Sequence, residues 1–267
     1  MNRWKRYLRY AGMLLAASVI VLALGFVERS ADRTPLNDLR VKVSGADGVR
    51  FIDEAAIRRE VLEQGIAVMG TTLGEVDETR IEERLRSIPC VARAEAYHTM
   101  DGVLHVSVVQ RTPIVRVINA DGSGFYIDEE GWTMPTELAH PARVLVVTGA
   151  LDEPGARNGV VDILGSDSLR ARCLSDEIHR IATFLRSEPF WEALIDQLVV
   201  RSDGLFELVP KVGGQRILIG DGNDLQQRFA KLRLFYAKGM PMTDWRRYER
   251  IDLRFADQVV CTQRTTP

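Results

Sequence analysis

The 267-residue sequence has no surplus of positive charge: 35 Lys and Arg stand against 37 Asp and Glu, for a net charge of -2. A dedicated nucleic-acid binder gathers excess bases against phosphate, so this balance argues against that class. Cysteine is scarce. Cys90, Cys173 and Cys261 are odd in number and widely spaced, which excludes a disulfide scaffold and leaves at most one bridge. Catalytic signatures are also missing: there is no G-x-S-x-G, H-E-x-x-H, C-x-x-C or G-K-[ST], and no G-x-G-x-x-G opening a helix after a strand. The histidines, His98, His105, His140 and His179, are scattered. Cys173 and His179 on one helix would stand about 120° apart, unsuited to a shared metal or a nucleophile-base pair. Asp128-Glu129-Glu130 runs into Gly131 and reads as a solvated turn between strands. Gly220-Asp221-Gly222-Asn223-Asp224 lacks the spacing of a calcium loop, and Phe190, Trp191 and Trp245 read as core aromatics. No catalytic residue, metal site or cofactor is therefore assigned.

What the sequence does contain is one uncharged apolar run from Ala11 to Val27, with Ser18 its only polar side chain. As a helix it would be about 26 Å long, against about 30 Å of bilayer hydrocarbon. Bounded by Tyr10 and Glu28, residues 10–27 predict a transmembrane helix. Arg3, Lys5, Arg6 and Arg9 precede it without an acid, whereas Glu28, Arg29, Asp32 and Arg33 balance behind it. The positive-inside rule then places residues 1–9 in the cytoplasm, with those four bases setting the orientation. A cleavable signal peptide is the alternative, with Ala23-Leu24-Gly25 as a passable site, but its apolar stretch usually spans roughly 7 to 15 residues. Either reading exports everything after Val27.

Residues 28–38 are polar, contain Pro35 and predict a linker. Leu39–Val43 alternates as a half-buried strand does. Helices are predicted over Glu54–Glu63, where Ile57 and Val61 lie one turn apart, and over Glu78–Ile88, with Asp77 as N-cap and Pro89 as stop. Strands Ala92–Tyr97 and Val103–Val109 follow. Residues 39–112 thus form a strand-helix-helix-strand-strand unit. A β-rich region over 113–262 comes next, with strands at Ile114–Ile118, Gly124–Ile127, Arg143–Thr148, Leu194–Arg201, Leu205–Pro210, Gln215–Ile219 and Glu249–Phe255. A short apolar run, Val259–Cys261, comes last, and helices are predicted over Ser175–Arg186 and Asp224–Lys238. The class is α+β.

Several motifs in fixed order carry a resemblance. They are Val43-x-Gly45, Leu73-x-x-Val76-Asp77, Ile88-Pro89-Cys90-Val91-x-x-Ala94, and Leu104-x-Val106-x-Val108-x-Gln110-Arg111-Thr112-Pro113-Ile114. Tyr126-Ile127-Asp128-Glu129-Glu130-Gly131, then Gly214-Gln215-Arg216-Ile217-Leu218-Ile219-Gly220 and Phe229-x-x-Leu232, continue it. In these the chain resembles the FtsQ/DivIB family of bacterial division proteins across essentially its whole length. Cys90 stands where that family usually has Trp, and Gln110 where it usually has Glu.

The resemblance implies a POTRA domain followed by a β-domain on one transmembrane helix, at the septum of the inner membrane with both domains outside. It implies a non-enzymatic divisome scaffold that binds FtsB- and FtsL-type bitopic partners and regulates septal peptidoglycan synthesis. The implied binding surface is the last strand and the preceding helix: Tyr248, Arg250, Ile251, Asp252, Leu253, Arg254 and Phe255, with Arg228, Lys231 and Arg233. A strand so close to the C-terminus predicts an open sheet edge, unless Val259–Cys261 pairs with it. The rival readings are an exported cell-envelope enzyme and another POTRA-bearing export component.

Overall fold

The computed structural model describes residues 12–19, 33–45, 50–63, 67–136, 141–154, 159–165, 173–239 and 245–264. Of the predicted span over 10–27, residues 12–19 are helical with exposed side chains; the remainder, with Arg3, Lys5, Arg6 and Arg9, lies outside the described residues. No helix among the described residues is long and apolar enough to cross a membrane. The chain divides into two units, Met1–Gly45 with Ile52–Gln110 and Ala46–Phe51 with Arg111–Pro267.

In the first unit the order is β1 (Asp38–Ser44), α1 (Glu54–Glu63), a 3-10 turn (Leu73–Glu75), α2 (Glu78–Arg86), β2 (Val91–Thr99) and β3 (Val103–Gln110). Asp53 Oδ1 accepts from Ala56 N–H at 2.6 Å and Asp77 Oδ1 from Arg80 N–H at 3.0 Å, so each helix starts on an aspartate that satisfies one otherwise orphaned donor. The sheet order is β1-β3-β2, with β1 parallel and β2 antiparallel to β3. Alternation along the strands sends Leu39, Ala94, Leu104, Val106 and Val108 to the helix side, where Ile57, Val61, Ile81 and Leu85 bury against them.

The second unit is one nine-stranded sheet with its helices on one face. Its strands are β4 (Pro113–Ile118), β5 (Gly124–Asp128), β6 (Thr133–Pro135), β7 (Leu145–Gly149), β8 (Ile195–Val200), β9 (Phe206–Pro210), β10 (Arg216–Gly220), β11 (Tyr248–Asp252) and β12 (Val260–Gln263). They lie in the order β12-β11-β10-β9-β8-β7-β4-β5-β6. Two long connections join parallel neighbours. Helices α3 (Ser175–Ser187) and α4 (Pro189–Leu194) lead from β7 to β8, and α5 (Leu225–Leu234) with the π turn Phe235–Gly239 leads from β10 to β11.

The pairing registers place one residue from every strand in a single transverse row: Cys261, Ile251, Ile217, Leu208, Leu198, Val147, Val117, Phe125 and Pro135. From Ile251 to Phe125 every member is buried, in one cluster with Ile178, Ile181 and Leu185 of α3, Trp191 of α4, and Phe229 and Leu232 of α5. Each such side chain contributes about 1.5–3 kcal/mol by leaving water. Helix α3 lacks a capping side chain of its own at Leu174; the buried Glu153 carboxylate accepts instead from Leu174 N–H at 2.8 Å and from the Ser175 hydroxyl.

Two of the sequence motifs meet in this unit. Arg111 Nη1 donates to Asp128 Oδ2 at 2.8 Å, with both side chains buried, and the guanidinium lies 4.8 Å from the centre of the Trp132 ring. Asp128 Oδ1 also accepts from the N–H groups of Glu130 (3.0 Å) and Trp132 (2.7 Å), closing a turn in which Gly131 takes φ +85°. The turn is as expected, but Asp128 is not solvated: its carboxylate is the buried centre of that turn. Three further elements lie outside the sequence expectations: the three-residue β6, α4, whose first residue is Pro189, and the 3-10 turn Trp245–Arg247. Replacing Asp128 by Ala strands the buried Arg111 charge and should destabilise this unit by about 3–5 kcal/mol. The check is chemical denaturation of the full chain followed by tryptophan fluorescence.

Candidate partner-binding edge

An open sheet has two edges, and they are treated differently here. On the β6 side, Thr133 N–H donates to Val161 O at 2.9 Å, Val161 N–H to Thr133 Oγ1 at 2.8 Å, and Trp132 bridges to Asp162. That loop covers the edge. On the other side β12 is last in order, and no described residue pairs with its outer rim.

This corrects the expected location of the open edge. β11 is an internal strand, parallel to β10 on one side and antiparallel to β12 on the other. The short run at Val259–Cys261 supplies the cover: Ile251 pairs with Cys261 and Asp252 with Val260. The strand predicted over Glu249–Phe255 also ends at Asp252.

The alternation of β12 fixes which groups face out. Arg264 N–H, just beyond the strand, donates inward to Arg247 O at 2.7 Å. Backbone groups alternate along an antiparallel strand, so those of Thr262 and Val260 also face β11, and those of Cys261 and Gln263 face away from it. The Cys261 side chain caps the apolar row, and burial pushes its thiol pKa up.

The expected contact residues fall into distinct roles. Ile251 and Leu253 are fully buried core residues. Leu253 N–H extends the β10 contact by donating to Leu218 O at 2.9 Å. Asp252 and Arg254 serve each other: Nε and Nη2 of Arg254 reach the carboxylate at 3.0 and 2.7 Å, and Arg254 N–H adds a bond to Oδ1 at 3.0 Å. Burial opposes ionisation of Asp252, but these donors outweigh it and hold its carboxyl below the usual range. Arg250 Nε lies 3.5 Å from Glu207 Oε1, which Arg201 Nη1 also approaches at 3.0 Å. The Tyr248 ring meets Phe235 at 5.9 Å, whereas Phe255 is 44% exposed.

The bases on α5 do not project towards the open rim. Arg228 Nη1 bonds Ile219 O and, at 2.8 Å, Asp221 Oδ1; the Asn223 amide together with Arg228 draws that carboxyl down to about 2. Lys231 Nζ binds Leu253 O at 3.1 Å and also Phe255 O, so it holds the chain between β11 and β12. Arg233 turns to α4, pairing with Glu188 at 2.8 Å over the rings of Phe190 and Trp191. Strands β11 and β12 are joined by Leu253-Arg254-Phe255-Ala256-Asp257-Gln258-Val259, without glycine, proline or asparagine. That absence hid the hairpin from turn-based reading; Asp252 and Lys231 shape the connection instead.

A three-stranded unit of the β-α-α-β-β order, followed in sequence by an open mixed sheet with one edge that no described residue covers, defines a POTRA-type protein with a second, β-rich domain. Residues 36–109 match the model of a POTRA-like domain, and residues 112–262 match the model described as FtsQ/DivIB, C-terminal related. The chain belongs to the FtsQ/DivIB family. Among its relatives, the cell division protein FtsQ of Rhodothermus marinus is 28% identical over 234 residues, covering 85% of this chain and 78% of the relative. The cell division protein FtsQ of Salinibacter ruber is 27% identical over 199 residues, 73% of each chain.

Replacing Lys231 by Met removes two charge-assisted bonds to carbonyls and should cost about 1.5–3 kcal/mol. Denaturation of the full chain checks the magnitude, and faster amide exchange over residues 253–259 locates the loss.

Proposed function

We propose that this protein is a bitopic, non-enzymatic divisome scaffold. Residues 10–27 span the inner membrane with residues 1–9 in the cytoplasm, and the POTRA domain (39–112) and β-domain (113–262) stand outside it at the septum. It links early and late division proteins and regulates septal peptidoglycan synthesis by holding FtsB- and FtsL-type partners. The observation that carries this reading is the rim of β12, which no described residue covers, in a sheet whose other rim is closed. A partner strand added there satisfies the outward groups of Cys261 and Gln263 and places a side chain beside Cys261 at the end of the apolar row. The two relatives named as cell division proteins support the cellular role.

Two experiments test this. Depletion should give filamentous or unseptated cells, and normal septation in viable depleted cells overturns the cellular role. Gln263→Pro removes an outward donor while leaving the bonds between β12 and β11 in place, so co-purification of the small bitopic partners should be lost with the denaturation midpoint little changed. Thr262→Pro removes an inward bond and should loosen β12 itself.

A further inference from the structure

The open strand is short, and three of its four residues are exposed: Val260, Thr262 and Gln263. Packing alone holds it weakly, since only Cys261, with the preceding Val259, contributes to the core. A strand in that condition frays, and a frayed strand is a poor template for another. A cation on a carbonyl ties down both the connection that leads into it and its far end. In the connection, just after β11, Lys231 holds the carbonyls of Leu253 and Phe255. At the far end Arg264, one residue beyond the strand, makes two bonds: its N–H to Arg247 O and its Nη2 to Gly214 O at 2.8 Å.

The second bond reaches back to the turn before β10, and the residue there is suited to it. A Cβ placed on Gly214 would lie 2.1 Å from Arg264 Nη2, so an added methyl group shifts the guanidinium from this position. Gly214 has no left-handed backbone to explain it, unlike its neighbour Gly213 at φ +95°.

We propose that Arg264 and Gly214 form a latch that keeps β12 ordered as a docking edge, making Arg264 a positioning residue for partner binding. The proposal rests on the strand-addition reading above. Its physical content is a population: without the latch, β12 is paired with β11 for a smaller fraction of the time. The apparent affinity then falls by that fraction while the bound geometry is untouched.

The test uses the full chain in nanodiscs, with the extracytoplasmic segment of the FtsB-type protein from the same organism as probe. Arg264→Ala and Gly214→Ala should each speed amide exchange by about tenfold at Val260 and Thr262, whose N–H groups face β11, with β8 to β10 unchanged, and lower the association rate by about tenfold with the dissociation rate unaltered. Arg264→Lys should restore part of both. Because Gly214→Ala leaves Arg264 in the sequence, agreement between the two variants separates the latch from loss of a charge. A change confined to the dissociation rate makes Arg264 a direct contact and overturns the proposal. Unchanged exchange and association in both variants, while Gln263→Pro abolishes binding, overturns the latch alone. If Gln263→Pro binds as the parent does, the strand-addition reading fails and the proposal with it.

Discussion

The second unit depends on one transverse row of apolar residues, a single position in each of nine strands, running from Cys261 to Pro135. Because side chains alternate across a strand, holding that row in register sends every second residue of each strand to the opposite face. The helices must then cover the row from one side. Both crossovers, α3 with α4 and α5 with its π turn, end in strands parallel to the ones they left, and both bring apolar stripes to it. The row also explains why the sheet stays open: its outermost members, Cys261 and Pro135, are partly exposed ends rather than neighbours.

An open sheet carries a standing hazard, since a rim of unpaired backbone groups pairs with any passing strand. Here the two rims meet it by different means. Thr133 on β6 is engaged through both its N–H and its hydroxyl by the segment Gly159–Val161. β12 has no such cover among the described residues, yet it is only four residues long, and Thr262 and Gln263 are polar. Brevity and polarity limit indiscriminate pairing. Selective pairing then requires that the short strand be presented in one register, which is a matter of what holds its ends.

Much of this architecture is readable from the sequence where local signals agree. Helix α1 spans Glu54–Glu63 as its Ile57 and Val61 spacing predicts, and β3 buries Leu104, Val106 and Val108 as its alternation predicts. Elements set by tertiary contact are not readable in that way. β6 is too short for any periodicity, and its strand character comes from pairing with β5 and with Val161. The β11–β12 hairpin lacks a turn signature because long-range bonds from Lys231 shape the connection, so the last predicted strand runs past Asp252 into residues that leave the ladder. Of the expected contact residues, Ile251 and Leu253 show why hydrophobic strand positions are ambiguous: the same alternation serves a partner or a core, and burial assigns these two to the core.

The charged residues make the complementary point. Bases on a helix beside a candidate edge read naturally as recognition charges, yet Arg228, Lys231 and Arg233 are each occupied within the domain by carbonyls, carboxylates or aromatic faces. A cation already bonded to buried carbonyls would leave those acceptors unsatisfied if a partner drew it away, at a cost comparable to what the new pair returns. Under the proposed strand addition, recognition at this rim would fall to backbone groups and to the side chains that alternate along β12, with Cys261 on the core face and Val260 and Thr262 on the other. Affinity by backbone and selectivity by alternate side chains is the division of labour that strand addition requires. On that proposal the order of one four-residue strand would matter more to binding than any single surface charge.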